Sequence, residues 1–131
     1  MPTLTGSFDV TMHAEPPYDT RDGVMLARAT FDKTFHGGLN AKGLVHMLSA
    51  RSGSRKDSAA YVALERIEGT LDGKRGTFCV THQGTMNRGA DSLVISVVPD
   101  SGTGELEGLS GSMRIRIVDG KHFYDFDYSL S

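Results

Sequence analysis

Three residues able to do charge or proton chemistry sit among apolar neighbours. Lys33 lies between Phe31 and Phe35, Glu65 shares alternate positions with Tyr61, Ile67 and Leu71, and His82 follows Phe78 and Val80. A carboxyl group and an imidazole brought together can serve as acid and base, and an ammonium can anchor an anionic head group. Burying such groups without partners costs several kcal/mol, so each must pair with another, meet water or await a ligand. Tyr124 and Tyr128 flank Phe126 and supply an amphipathic wall. The candidate ligand-binding set is Lys33, Tyr61, Glu65, His82, Tyr124 and Tyr128, with Glu65 and His82 as the candidate acid and base. The competing reading is a structural polar network, or side chains that meet solvent at an open end of the fold.

Other chemistry is weakly signalled. The chain has no Gly-x-x-x-x-Gly-Lys-Ser/Thr loop and no His-Glu-x-x-His pair. Gly102, Gly104 and Gly108 are spaced one residue too long for a dinucleotide fingerprint. His13, His36, His46, His82 and His122 lie far apart, without the paired spacing of zinc sites, so neither metal nor cofactor is expected. Cys79, the single cysteine, cannot form an internal disulfide. It alternates with Thr77 and Thr81, has no helix terminus or basic neighbour to activate it, and reads as a bystander.

The elements that must position these residues are strands. A chain of 131 residues fits one domain spanning 1–131. Turn-forming clusters fall at Glu15–Asp19, Gly37-Gly38, Ser52–Asp57, Asp72-Gly73, Asn87–Gly89, Pro99–Gly102 and Asp119-Gly120. Between them apolar and polar residues alternate: Phe8, Val10 and Met12; Phe31 and Phe35; Phe78 and Val80; Met113, Ile115 and Ile117; Tyr124, Phe126, Tyr128 and Leu130. Period-two patterning marks strands with one face buried. No segment carries a capped helical period.

A two-residue turn at Asp72-Gly73 would oppose Ala63 to His82; a four-residue loop would oppose Glu65 to His82. A turn at Asp119-Gly120 sets Ile117 against His122 and Ile115 against Tyr124. The same construction at Gly37-Gly38 would oppose Lys33 to Lys42, a like-charge pair, so that register stays open. Arg66, Arg114 and Arg116 take the outward parity. Eight antiparallel strands bury one face and lose their edges by closing, which predicts an all-β, eight-stranded antiparallel barrel of lipocalin-like form. A two-sheet sandwich is the alternative. Segment 103–111 is expected to add a helical turn that plugs one end with Leu106 and Leu109.

Several blocks are familiar: Phe8-Asp9-Val10, Phe31-Asp32-Lys33, Phe35-His36-Gly37, Tyr61 to Arg66, His82 to Met86, Val98 to Leu106 and Lys121 to Tyr124. Through them the chain resembles a bacterial family of small proteins known as a domain of unknown function. That resemblance implies a β-barrel similar to plant allene oxide cyclase, an interior cavity, and a homo-oligomer assembled through the barrel exterior. The likeness to the cyclase itself rests on Gly102 to Gly108 and on Phe123-Tyr124-Asp125-Phe126. The cyclase's early Glu and Asn have no counterpart; the first strand offers Asp9, Thr11 and His13 instead. Cyclase chemistry is therefore not carried over.

Fourteen Lys and Arg against 16 Asp and Glu give a net charge of -2, which argues against nucleic acid as the main partner. No run of about 18 apolar residues exists to span a membrane. The N-terminus lacks the charged and apolar regions of a signal peptide, and a cytoplasmic protein is expected. The leading function is a barrel that binds a small hydrophobic or amphipathic molecule in its interior. The alternatives are an isomerase or cyclase acting on a hydrophobic substrate there, and a solid interaction barrel with no ligand.

Overall fold

The computed structural model describes residues 2–131. Each alternating segment is a strand: β1 (Thr3–Ala14), β2 (Val24–Gly37), β3 (Leu39–Ser52), β4 (Ala59–Leu71), β5 (Lys74–Asn87), β6 (Ala90–Val97), β7 (Leu109–Val118) and β8 (Lys121–Leu130). Every strand pairs with its sequence neighbours, and β1 pairs with β8 to close an antiparallel barrel. The sandwich alternative falls. No helix among the described residues is long and apolar enough to cross a membrane.

Turn chemistry sets most of the register. Asp72-Gly73, Arg88-Gly89 and Asp119-Gly120 have positive φ at both positions, the backbone whose twist matches paired strands. The two-residue turn at Asp72-Gly73 puts Ala63 opposite His82, and the one at Asp119-Gly120 puts Ile117 opposite His122. At Gly37-Gly38 the pairing is displaced by one residue from a two-residue hairpin. Lys33 opposes Gly43, and Lys42 opposes Thr34. The like-charge pair is thereby avoided, and Lys33 faces a residue with no side chain.

The barrel has a packed end and an open end. Phe35, Leu39, Ile67, Leu71, Phe78, Tyr124 and Phe126 fill the packed end. Phe78 and Phe126 stack with centroids 5.8 Å apart, and Phe35 meets Tyr124 edge-on at 5.7 Å. A 3-10 turn at Gly104–Leu106 lays Leu106 across that end, beside Leu109 at the start of β7. Gly102 permits this, because a Cβ there would overlap the Leu106 carbonyl oxygen. At the other end, Met12 and Ile117 continue the inward-facing rows but stand exposed at the mouth. The wall is uneven: β6 and β7 pair only at Ile95 with Met113 and Ser96 with Ser112.

Candidate functional site

Glu65 points inward from the middle of β4, paired on its flanks with Val45 and Val80. It is 2% exposed, and two cations or potential cations converge on one of its oxygens. Lys33 Nζ donates to Glu65 Oε1 at 3.2 Å, and His82 Nε2 lies 2.8 Å from the same atom. Lys33 reaches it from β2, two strands away, across Gly43 on β3. Lys33 is 8% exposed and His82 6%. The Lys33 ammonium also lies 4.9 Å from the Phe8 ring centroid and 5.7 Å from that of Phe35, a cation–π setting. Glu65 Oε2 is buried and has no hydrogen-bond partner among the described residues.

Above this cluster the open half of the barrel holds a cavity of ≈ 320 Å³. Its lining includes Lys33, Tyr61 and His82, with Phe8, Val45 and Ala63 between them. The walls are mostly apolar, with Lys33 and His82 at the floor and Tyr61 and His122 as the polar residues of the wall. Burial raises the Tyr61 hydroxyl pKa above its ordinary value, so it remains a neutral donor and acceptor at the cavity wall. A hollow of ≈ 730 Å³ also lies against β2–β5, but Thr30, Leu48, Val62, Leu64 and Thr81 line it from the outward-pointing rows. The interior cavity is the candidate because both Lys33 and His82 line it. The outer hollow touches the cluster at His82 only, and a further surface hollow touches it at Glu65 only.

Lys33, Tyr61, Glu65 and His82 are therefore brought together, with Glu65 beneath the floor that Lys33 and His82 form. Tyr124 and Tyr128 are not brought to the cavity. The Tyr124 hydroxyl accepts from the Leu39 amide at 3.0 Å and lies 2.9 Å from the His36 carbonyl oxygen, pinning the β2–β3 turn. Burial raises its pKa, against the lowering effect of the Leu39 hydrogen bond. Tyr128 packs on Phe126, with centroids 5.5 Å apart, and burial raises its pKa also. Both share the inward parity of the site but sit at the packed end. Arg114 and Arg116 pair outside with Asp127 and Asp125, as their parity indicates.

Reading the sequence left out His122, Met47 and Leu93, all of which line the cavity. His122 packs against Phe8 with the rings tilted and their centroids 5.1 Å apart. Its signal was present in the sequence, since it shares the even parity of Tyr124 on β8.

The fold and site define a small closed β-barrel whose interior cavity ends on a buried Lys–Glu–His cluster. The chain belongs to the DUF3224 family, proteins of unknown function, whose model it matches over residues 4–128. It is similar to a solved structure of a DUF3224 protein of unknown function from Shewanella oneidensis MR-1. The two are 45% identical, the match covers 100% of this chain and 98% of that one, and the TM-score is 0.93. No curated protein matches the chain.

Proposed function

We propose that the protein is a small-molecule-binding barrel, which holds the apolar body of one amphipathic ligand in the cavity and its polar end at Lys33 and His82. One observation carries this reading: an apolar cavity of ≈ 320 Å³ ends on an ammonium and an imidazole that share a single buried carboxylate oxygen. Ligand sites are usually concave and mostly apolar, with a few convergent polar groups, and begin at about 300 Å³. The same cavity counts against a solid interaction barrel. Native mass spectrometry of the purified protein, followed by titration with alkyl probes, tests it. Saturable binding of one probe per chain, weakened at least about tenfold by Ile115→Trp in the cavity wall, is expected. Absence of saturable binding by every probe would remove the reading.

A second reading, proton transfer in an isomerase, has its own support. Glu65 holds His82 through Nε2, the way a carboxylate orients a general base in catalytic dyads. Solvent deuterium exchange at the α-carbon of a cyclohexanone probe, followed by NMR, tests it. Exchange that falls about 100-fold in His82→Gln supports a general base, and no exchange in the wild type excludes this reading for ketones.

A further inference from the structure

We infer that the polar end of the ligand is a carboxylic acid group, and that it is held together with its proton. The inference rests on the binding reading and adds the chemistry of the head group. It starts from the shared oxygen. A carboxylate oxygen only accepts, so the nitrogen of His82 facing Glu65 Oε1 carries a hydrogen. In the neutral imidazole the other nitrogen, Nδ1, is then a lone-pair acceptor. Among the described residues Nδ1 has no hydrogen-bond partner, and the ring lines the cavity. Lys33 has three N–H bonds, and Glu65 accepts its one hydrogen bond to the protein.

The cavity floor therefore presents unspent donors and one unspent acceptor, held near one another by the same carboxylate oxygen. A carboxyl group matches both: its carbonyl oxygen accepts from Lys33, and its hydroxyl donates to His82 Nδ1. An alcohol has a single oxygen with which to reach both, a ketone leaves Nδ1 unmet, and an amine meets the lysine's like charge. A buried polar group left unpaired is costly, so these differences translate into affinity.

Charge gives the proton. Lys33 and Glu65 already neutralise each other in the barrel interior. A bare carboxylate would bring in an uncompensated charge, which a low-dielectric cavity disfavours. One added proton removes that charge, whether it rides on the ligand or on Nδ1. The groups that share the cavity with His82 are Tyr61 on β4, Lys33 on β2 and His122 on β8, with Glu65 beneath. On the outer side Glu15, Arg28 and His46 share a hollow with it, and Glu15 and Arg28 carry opposite charges. Free carboxylic acids are ionised at neutral pH, so binding must take up a proton from solution.

The experiment is isothermal titration of the full chain with decanoate, decanol and decylamine, in PIPES and in Tris. Decanoate is expected to bind at least about tenfold more tightly than decanol or decylamine. Its enthalpy should differ between the buffers as uptake of close to one proton requires. Above neutrality its affinity should fall toward about tenfold per pH unit. In His82→Gln the amide can reach Glu65 and its oxygen can accept in place of Nδ1. The barrel should still fold, and decanoate should still bind with uptake of close to one proton, carried then by the ligand. Decanol binding as tightly as decanoate overturns the head-group assignment and leaves the binding reading standing. Decanoate binding without proton uptake overturns the protonated complex. Failure of all three probes to bind removes the binding reading itself.

Discussion

Gly43 has no side chain, and the Glu65 carboxylate occupies the place that one would fill. A Cβ built at Gly43 would overlap Glu65 Oε2 and crowd the Phe35 ring. The β2–β3 register sets this gap opposite Lys33, so the lysine can reach across β3 to a carboxylate on β4. Gly43→Ala is expected to push Glu65 off the pair and destabilise the barrel by about 2–4 kcal/mol in urea unfolding. A stability within about 0.5 kcal/mol of wild type would show that the gap is not needed.

Lys33 and Glu65 should behave as one unit. Lys33→Met leaves a buried carboxylate with His82 alone, and Glu65→Gln leaves a buried ammonium unpaired. Each single change is expected to cost about 3–5 kcal/mol. The double variant should cost less than the two together by more than about 1 kcal/mol. Additive losses would mean that the two groups are not coupled.

Alkaline unfolding follows from the buried phenols. Tyr124 and Tyr128 have pKa values raised by burial above the ordinary 10.0, so above that pH the unfolded chain loses protons that the barrel retains. The native state is then destabilised as pH rises, by up to about 1.4 kcal/mol per pH unit for each phenol. Tyr124→Phe should flatten this slope, at a cost at neutral pH of about 1–3 kcal/mol for its lost hydrogen bonds. An unchanged slope above pH 10.0 in that variant would contradict the assignment.

The outer face acts in the opposite pH range. The side-chain hydrogen bonds of Asp125 with Arg116, and of Asp127 with Arg114, are the main causes that hold these carboxyls below their ordinary 3.8. Their contribution is present above that value and is lost as pH falls through the lowered pKa values. Both pairs are exposed to solvent, so the effect is small and salt-sensitive. Acid melts of Asp125→Asn at low and high salt should show a shallower loss of stability than the wild type, and the difference should shrink with salt.

Leu106 separates stability from binding. It is 1% exposed at the packed end, away from the cavity. Leu106→Ala should cost about 2–5 kcal/mol through the space it leaves. Decanoate affinity should stay within about twofold of wild type, measured where the variant is fully folded. A large loss of affinity would mean that the two ends of the barrel are coupled.

How far the sequence could be read depends on which relationships are local. Alternation at Phe78, Val80 and His82 gives the buried face, and either register open to the Asp72-Gly73 turn brings His82 opposite or diagonal to Glu65; the structure takes the diagonal one. The partner of Lys33 is another matter. It depends on two successive registers, and the first runs through a Gly-Gly turn that fits more than one pairing. Tyr124 and Tyr128 show a different limit. Parity tells which face a strand residue takes, but not how high along the barrel axis it lies. The closing turn near Leu39 and the plug at Leu106 make their end the solid one.

The two pairs that join β6 to β7 leave consequences beyond the cavity. Toward the mouth, both strands carry main-chain donors and acceptors that no strand across the seam meets. Such an edge is a template for a stray strand from another molecule. Charged side chains guard it, with Asp91 on β6 and Arg114 and Arg116 on β7. The seam can part locally for a fraction of the free energy of global unfolding, since few ladder bonds must break there. Its amides should be the first of the barrel wall to exchange with deuterated solvent, and the molecule meets the risk of aggregation with charge where it has given up pairing.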